Sequence, residues 1–494
     1  MIQKRLEIIA IRHKKSLAIL LLIVMFSMAL AASSPAQEVN LYVSSQAGDR
    51  LTAKNPLHFE SAKLGGSSFQ IQDDVTYQKI VGFGASFLEA GMICLNSLDP
   101  AQQEGVLRAL FDPEQGAGFS AMKTVLGSTD FMSAGPWFTY DDTPGDMQLI
   151  HFSIARDLKP NGLVTYIKRA RKYGHFVLQA PMDYPPDWML LNATDRDKQD
   201  VDPKYYDVLA HYYLRYLQDY DQKGVFIDYL SLFNEPGVYT KINYQEICDL
   251  IKDHVGPLFA KEGVRTKLQL SEAPTRDNAH RNYPTVLDDP GARKYVAALA
   301  YHGYDWTHFD EIADLHRRYP NLPLWMTEIC HAYEVGDPVS MPIPRYDFQD
   351  GEFWGDQIFS DLEAGASAWI YWNMILDQDG GPWAISPVHG NPDPNAQHPV
   401  VIIDRQTKQV TLTGLYYYLA HFSKFVRPGS VRVKTTGSRK YARCIAFKRP
   451  DGRVVAEIMN HGKFNDVVRL LWRGRTLDVP VPATSITTLV WPEK

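Results

Sequence analysis

Residues 227–236 read Ile-Asp-Tyr-Leu-Ser-Leu-Phe-Asn-Glu-Pro, and residues 322–328 read Leu-Pro-Leu-Trp-Met-Thr-Glu. Each is a short β-type run that ends on a glutamate. In the first, Pro236 closes the run by fixing its own φ angle and removing a backbone donor. Six more such runs can be placed, at 79–84, 119–126, 175–180, 267–271, 297–300 and 367–372. Helical patterns separate them: Tyr205, Leu209, Tyr212 and Tyr216 recur at helical spacing, as do Leu163 and Ile167 in a segment that stops at Gly174. Strands alternating with helices predict parallel strands joined by crossovers, and eight such units close a (β/α)8 TIM barrel.

Outside this region the pattern is all-β. Short strands are expected at 39–44 and 68–72, and alternation returns at 431–434, 444–447, 454–458, 467–471 and 487–491, with Pro450-Asp451-Gly452 as a hairpin turn. The C-terminal stretch is too short for many independent strands, so both ends of the chain are expected to form one β-sandwich beside the barrel. The expected organisation is a signal at 1–36, N-terminal sandwich strands at 37–75, the barrel at 76–427 and the C-terminal sandwich domain at 428–494.

The first segment has the form of a secretory signal peptide. Lys4, Arg5, Arg12, Lys14 and Lys15 precede an apolar run at 17–32, and small residues follow, so cleavage after Ala31 or Ala36 and a secreted or periplasmic location are expected. The run is shorter than the roughly 20 residues of a membrane-spanning helix. Losing residues 1–36 removes five basic side chains and Glu7, which moves the formal charge from −6 to −10. Such an acidic chain disfavours nucleic acid as a partner. Cys94, Cys248, Cys330 and Cys444 are too few and too scattered for a disulfide framework or a zinc site. Asn192-Ala193-Thr194 forms a glycosylation sequon.

Functional side chains of such barrels project from the C-terminal ends of the strands. Glu235 follows the fourth strand and Glu328 the seventh, and these two strands lie across the barrel mouth from each other. Retaining glycoside hydrolysis needs two carboxyl groups about 5–5.5 Å apart, one to attack the anomeric carbon and one to protonate the leaving oxygen. Trp372, ending the eighth strand, offers an indole face to a pyranose. His302 and Tyr304, at the end of the sixth, offer polar groups to the carboxylates.

The stretch from 80 to 430 resembles glycoside hydrolase family 30, above all its glucosylceramidase-like branch. The resemblance rests on Gly82-Phe83-Gly84, Asp142-Thr143-Pro144, Asn234-Glu235-Pro236, Thr327-Glu328-Ile329-Cys330 and the segment 418–425, Tyr-Leu-Ala-His-Phe-Ser-Lys-Phe. It implies Glu235 as acid/base, Glu328 as nucleophile, Asn234 on the sugar 2-hydroxyl, Tyr304 orienting the nucleophile and Trp372 as the floor of the sugar site. The chain departs from that branch in places. Lys123 stands where an arginine is expected, Glu89 where an aspartate is expected, and Gly303 where an aromatic residue is expected. The branch's sugar-contacting tryptophan falls at Met182 or Asp183 in a longer loop. Glu89 and Lys123 are therefore expected to touch the non-reacting hydroxyls of the sugar.

The expected activity is that of a retaining β-glycosidase, glucosylceramidase-like, acting on a carbohydrate or glycoconjugate. A glycanase of the same family, active on β-1,6-glucan, β-1,6-galactan or xylan, is the alternative, with Tyr184, Trp188, Tyr239 and Trp383 lining a cleft. A sugar-binding protein without chemistry fits poorly with two intact glutamates. A metallohydrolase has no His-Glu-x-x-His motif to rest on, and His302, His331 and His389 lack ligand spacing. Paired carboxylates supply proton transfer and covalent catalysis without a metal or organic cofactor. Dialysis against a chelator is therefore expected to leave activity unchanged; loss that a divalent ion restores would contradict this.

Overall fold

The computed structural model describes residues 37–61, 66, 68–133, 137–192, 200–334, 348–382 and 395–494. The signal segment, Ala193 and Thr194 of the sequon, Trp383 and His389 lie outside the described residues.

Eight parallel strands, Gly82–Ser86, Ala121–Lys123, Val177–Ala180, Tyr229–Ser231, Lys267–Ala273, Val296–His302, Leu324–Glu328 and Ala366–Asn373, close a barrel in chain order. Every expected run carries one of them. The fifth and sixth strands extend past the expected ends, which brings Glu272 and His302 onto strands at the barrel mouth. The Gly-Phe-Gly motif has a steric cause: a Cβ at Gly84 would collide with the carbonyl oxygen of Ala121 on the next strand. Only glycine allows the first and second strands to approach that closely.

The helices start where the sequence caps them. Asp99 accepts from the Gln102 N–H ahead of Pro100–Phe111, and Thr413 caps Gly414–Phe425 through the Tyr416 N–H. Tyr206–Gln222 turns Leu209, Tyr212, Tyr216 and Tyr220 inward against the barrel.

The chain ends meet as expected. Glu38–Ser45, Thr52–His58, Glu60–Ser61 and Phe69–Lys79 join six C-terminal strands in a ten-stranded sheet that folds over one apolar core of Val39, Leu41, Phe69, Val433, Leu470 and Trp491. Glu38–Ser45 lies between Thr52–His58 and Ser485–Pro492, so the N-terminal segment is built into the sheet. The Gly414–Phe425 helix couples this unit to the barrel. Its Phe422 ring packs on Phe83 and Phe359, while His421 bonds Thr488 at 2.6 Å and Ser44 at 2.9 Å. Burial pushes the His421 pKa down to about 3, so the ring joins the two units as a neutral group.

A buried ion pair braces the barrel wall. Arg276, at the start of the helix after the fifth strand, meets Asp361 through two N–H groups, each at 2.9 Å, and Asp305 at 2.9 Å. Tyr301 and Trp369, from the sixth and eighth strands, also donate to Asp361. Removing one partner of a buried pair strands the other charge. Asp361→Ala should cost about 3–5 kcal/mol of stability, read as a lowered denaturant midpoint.

Candidate active site

Past Ser231 the chain runs on to Asn234, which bridges to Glu272 of the fifth strand. The Asn234 N–H donates to the Met182 carbonyl at 2.7 Å and the Glu235 N–H to the Glu272 carbonyl at 2.9 Å. Glu235 adopts φ of +43°, in the left-handed region that costs a non-glycine residue roughly 1–2 kcal/mol. These two hydrogen bonds hold the strained turn. Strain of this kind persists where the surroundings over-determine it, and it gathers at functional sites.

Glu328 closes the seventh strand across the mouth. Both glutamates are 6% exposed. An oxygen of each and a ring nitrogen of His302 lie within 4.8 Å of one another. That separation falls on the short side of the divide between retaining enzymes, at about 5–5.5 Å, and inverting ones, at about 6.5–9.5 Å.

Beneath the pair lies a charged cluster that water does not reach. The Lys123 ammonium donates to Glu328 Oε2 at 2.6 Å, to Glu272 Oε2 at 3.3 Å and to Asn234 Oδ1 at 3.3 Å. Glu272 also accepts from Ser231 at 2.8 Å and Thr327 at 2.5 Å. His302 places Nδ1 2.8 Å from Glu235 and Nε2 3.2 Å from Glu272. Tyr304 donates to the other oxygen of Glu328 at 2.9 Å. The Lys123 ammonium sits 5.0 Å from the centre of the Trp372 ring, which tops the eighth strand.

These contacts determine the charge states. Burial alone would neutralise Lys123, but the charges of Glu328 and Glu272 hold its pKa above the ordinary value. Burial would also raise the pKa of Glu272; Lys123 and His302 outweigh it and hold the carboxyl at about 2. For His302, burial works toward neutrality, and the Glu328 charge with hydrogen bonds to Glu235 and Glu272 raises the pKa to about 9.

A doubly protonated imidazole has no lone pair for a metal. In its charged form His302 instead offers both ring nitrogens as donors, one to Glu235 and one to Glu272.

Of the residues expected at the site, Lys123, Asn234, Glu235, His302, Tyr304, Glu328 and Trp372 come together, and Glu89 does not. Glu89 starts the helix Glu89–Asn96 and pairs with Arg156 at 3.3 Å, beside a cavity lined by Phe131, Phe138 and Asp157. The expectation for Lys123 also needs correction: its ammonium is occupied by protein oxygens below the sugar site. Sequence reading missed Glu272 and Asp130. Glu272 carries the same signal as Glu328, an acid directly after a β-type run, and the fifth strand reaches past it to Ala273. Asp130 accepts from Tyr239 at 3.0 Å in a loop with no periodic pattern.

A parallel barrel with two facing carboxyls at the ends of its fourth and seventh strands defines a retaining β-glycosidase. Residues 80–426 match the profile of the glycosyl hydrolase family 30 TIM-barrel domain, and residues 429–489 that of the family 30 beta sandwich domain. The chain belongs to glycoside hydrolase family 30. It is 27% identical to the lysosomal acid glucosylceramidase of Mus musculus over 86% of this chain and 84% of that protein. It is 29% identical to the endo-1,6-beta-D-glucanase of Neurospora crassa, covering 74% of each. Among solved structures, SrfJ from Salmonella typhimurium superimposes with a TM-score of 0.82 at 22% identity, over 92% of this chain and all of that one.

The raised pKa of His302 links stability to pH. Its charged form is favoured on folding, so the contribution is fully present below the ordinary pKa of about 6.5 and is lost as pH rises through about 9. Glu272 behaves oppositely: its contribution is present above its ordinary value of 4.5 and is lost as pH falls toward about 2. The melting temperature should therefore decline between pH 6.5 and 9, and His302→Gln should flatten that decline. An unchanged slope would show that the imidazolium is not the group responsible.

Proposed function

We propose that Glu328 is the nucleophile and Glu235 the acid/base in hydrolysis of a terminal β-glucosyl unit from a glucosylceramide-like glycoside. The observation that carries the roles is the asymmetry of their partners. Glu328 receives an ammonium on one oxygen and a phenol on the other, which orient it and balance its charge as a nucleophile requires. Glu235 meets the protein only at Oε1, through the His302 ring, among the described residues, which leaves its second oxygen to face the departing oxygen and then water. In the first step Glu328 bonds to the anomeric carbon while the departing oxygen takes the Glu235 proton. In the second, Glu235 removes a proton from water, the water oxygen displaces Glu328, and the sugar leaves with its β configuration. Asn234 gives its amide oxygen to Lys123, which leaves its NH2 group for the sugar 2-hydroxyl, where hydrogen bonds strengthen as positive charge develops.

Glucose as the sugar is supported by the names of both curated relatives, and a pocket by the aromatic residues. Trp188 donates to the Asp141 carbonyl and packs on Tyr205, Tyr184 packs between Trp137 and Tyr239, and Tyr239 donates to Asp130. Three of the four rings expected to line a glycan cleft are thus engaged in the wall. The β-1,6-glucanase reading keeps the support of the Neurospora relative. The deciding measurement sets 4-nitrophenyl β-glucoside and glucosylceramide against a linear β-1,6-glucan. Glucose released from the first two supports the proposal, and oligosaccharides released from the glucan alone support an endo-glucanase. We also propose export of the chain, for which N-terminal sequencing of secreted material should find Ala32 or Gln37 first.

The roles themselves separate under mutation. Glu328→Ala should lose turnover by several orders of magnitude on every substrate. Glu235→Ala should still form the glycosyl-enzyme from a dinitrophenyl glycoside, stall there, and recover with azide to give a β-glycosyl azide. Azide rescue of the Glu328 variant to an α product, with none for Glu235→Ala, would remove Glu235 from its role. Inversion by the unmutated enzyme would overturn the mechanism.

A further inference from the structure

The Thr327-Glu328-Ile329-Cys330 segment leaves its last residue without a part in the mechanism. Cys330 is 3% exposed, and its sulfur lies between two oxygens. The Tyr304 hydroxyl is 3.6 Å away and Gln397 Oε1 is 3.8 Å away. Burial pushes the thiol pKa well above its ordinary value, so the thiol keeps its hydrogen. On one side, the Tyr304 phenol gives its only hydrogen to Glu328 Oε1 at 2.9 Å. On the other, Gln397 Oε1 also accepts from the Asn373 amide at the end of the eighth strand. A chain of side chains thus leads from Asn373 through Gln397, Cys330 and Tyr304 to Glu328.

Backbone anchors the far end of this chain. Gln397 closes the short strand Asn395–Gln397, which pairs with Ala332–Glu334 beyond the seventh barrel strand so that Ala332 stands opposite Gln397. The Gln397 N–H donates to the Gly380 carbonyl at 3.0 Å, and the His398 N–H to the His331 carbonyl at 3.1 Å. A Cβ at Gly380 would come 2.8 Å from both the backbone nitrogen and the backbone oxygen of Gln397, so glycine is what lets the two segments close up. Gln397 is 4% exposed and Asn373 fully buried. An amide held by the segments after the seventh and eighth strands is a fixed point. The Tyr304 hydroxyl has no such anchor of its own: among the described residues it meets the protein only at Glu328 and Cys330. Without the sulfur, the phenol would be held by the nucleophile alone.

We infer that Gln397, acting through Cys330 and Tyr304, is a positioning residue for the nucleophile. Its amide oxygen reaches Glu328 only through two other side chains. It fixes the sulfur, the sulfur closes one side of the phenol oxygen, and the phenol holds the carboxylate in the orientation from which it attacks the anomeric carbon. Attack depends on that orientation, and a small misplacement of the reacting group costs rate. The inference rests on Glu328 as nucleophile and is independent of the sugar and of the leaving group.

The test is a double-mutant cycle on the full chain, using the 4-nitrophenyl β-glycoside that the wild type cleaves fastest. The readout is kcat/KM, which reports the step in which Glu328 bonds to the anomeric carbon. Gln397→Leu keeps most of the side-chain bulk and removes its polar atoms. It should lower kcat/KM about 2- to 10-fold, the effect of one lost hydrogen bond. In a Tyr304→Phe background, where the phenol is already gone, the same substitution should change kcat/KM by less than about twofold. Cys330→Ala should behave as Gln397→Leu does, and Cys330→Ser, which keeps a donor and an acceptor, should be faster than Cys330→Ala. A loss from Gln397→Leu that is the same with and without the Tyr304 hydroxyl, or no loss in either background, would make Gln397 a structural residue and overturn the inference. Should Gln397→Leu fail to fold, as read from its melting curve, the cycle run with Cys330→Ala decides. Coupling to Tyr304 with serine the faster variant then supports the inference, and additive or absent effects overturn it. If Glu328→Ala keeps its turnover, the nucleophile reading falls and the inference with it; if Glu328→Ala is inactive and the cycle is additive, the inference alone falls.

Discussion

Glu272 and Lys123 face each other at 3.3 Å with no exposure to water, and the geometry of the pocket depends on that contact. Two charges taken out of water are tolerated only when their attraction and further hydrogen bonds offset the lost hydration. Here the offset is distributed: Ser231, Thr327 and His302 serve Glu272, while Glu328 and Asn234 serve Lys123. Residues from the second, fourth, fifth, sixth and seventh strands thereby meet at one point. Both glutamates above the point are positioned by it, Glu328 through Lys123 and Glu235 through His302.

The lysine matters chemically. An arginine at position 123 would present a planar fork suited to one carboxylate at a time, whereas an ammonium is a compact charge with three donors. Lys123 spends those donors on two carboxylates and an amide, and so couples the nucleophile to Glu272 and to the residue that precedes Glu235. The backbone makes a matching contribution. The left-handed turn at Glu235 is stabilised by a hydrogen bond to the carbonyl of Glu272, so one residue serves the site through both its side chain and its main chain.

The second domain serves the site at a distance. The Gly414–Phe425 helix lies between barrel and sheet, with aromatic contacts on one side and a neutral histidine bonded to two hydroxyls on the other. Because Glu38–Ser45 supplies one of those hydroxyls, the beginning of the described chain is locked to its end through this helix.

The architecture was legible in the sequence because strands and helices have different periods, and because Gly84 and Pro236 mark places where a backbone must approach closely or stop. The two glutamates at the ends of the fourth and seventh strands were legible for the same reason, since strand number in a closed barrel fixes position around the mouth. Sequence by itself therefore determined the barrel, the joined terminal strands and the facing pair. It determined only part of the polar shell around that pair. Glu272 and Asp130 lie in segments distant from one another in the chain, and Glu89, chosen by analogy of position, turned to Arg156 instead. Only the tertiary structure decided these pairings, because the energy of a buried charge depends on what surrounds it in space and leaves no periodic trace along the chain.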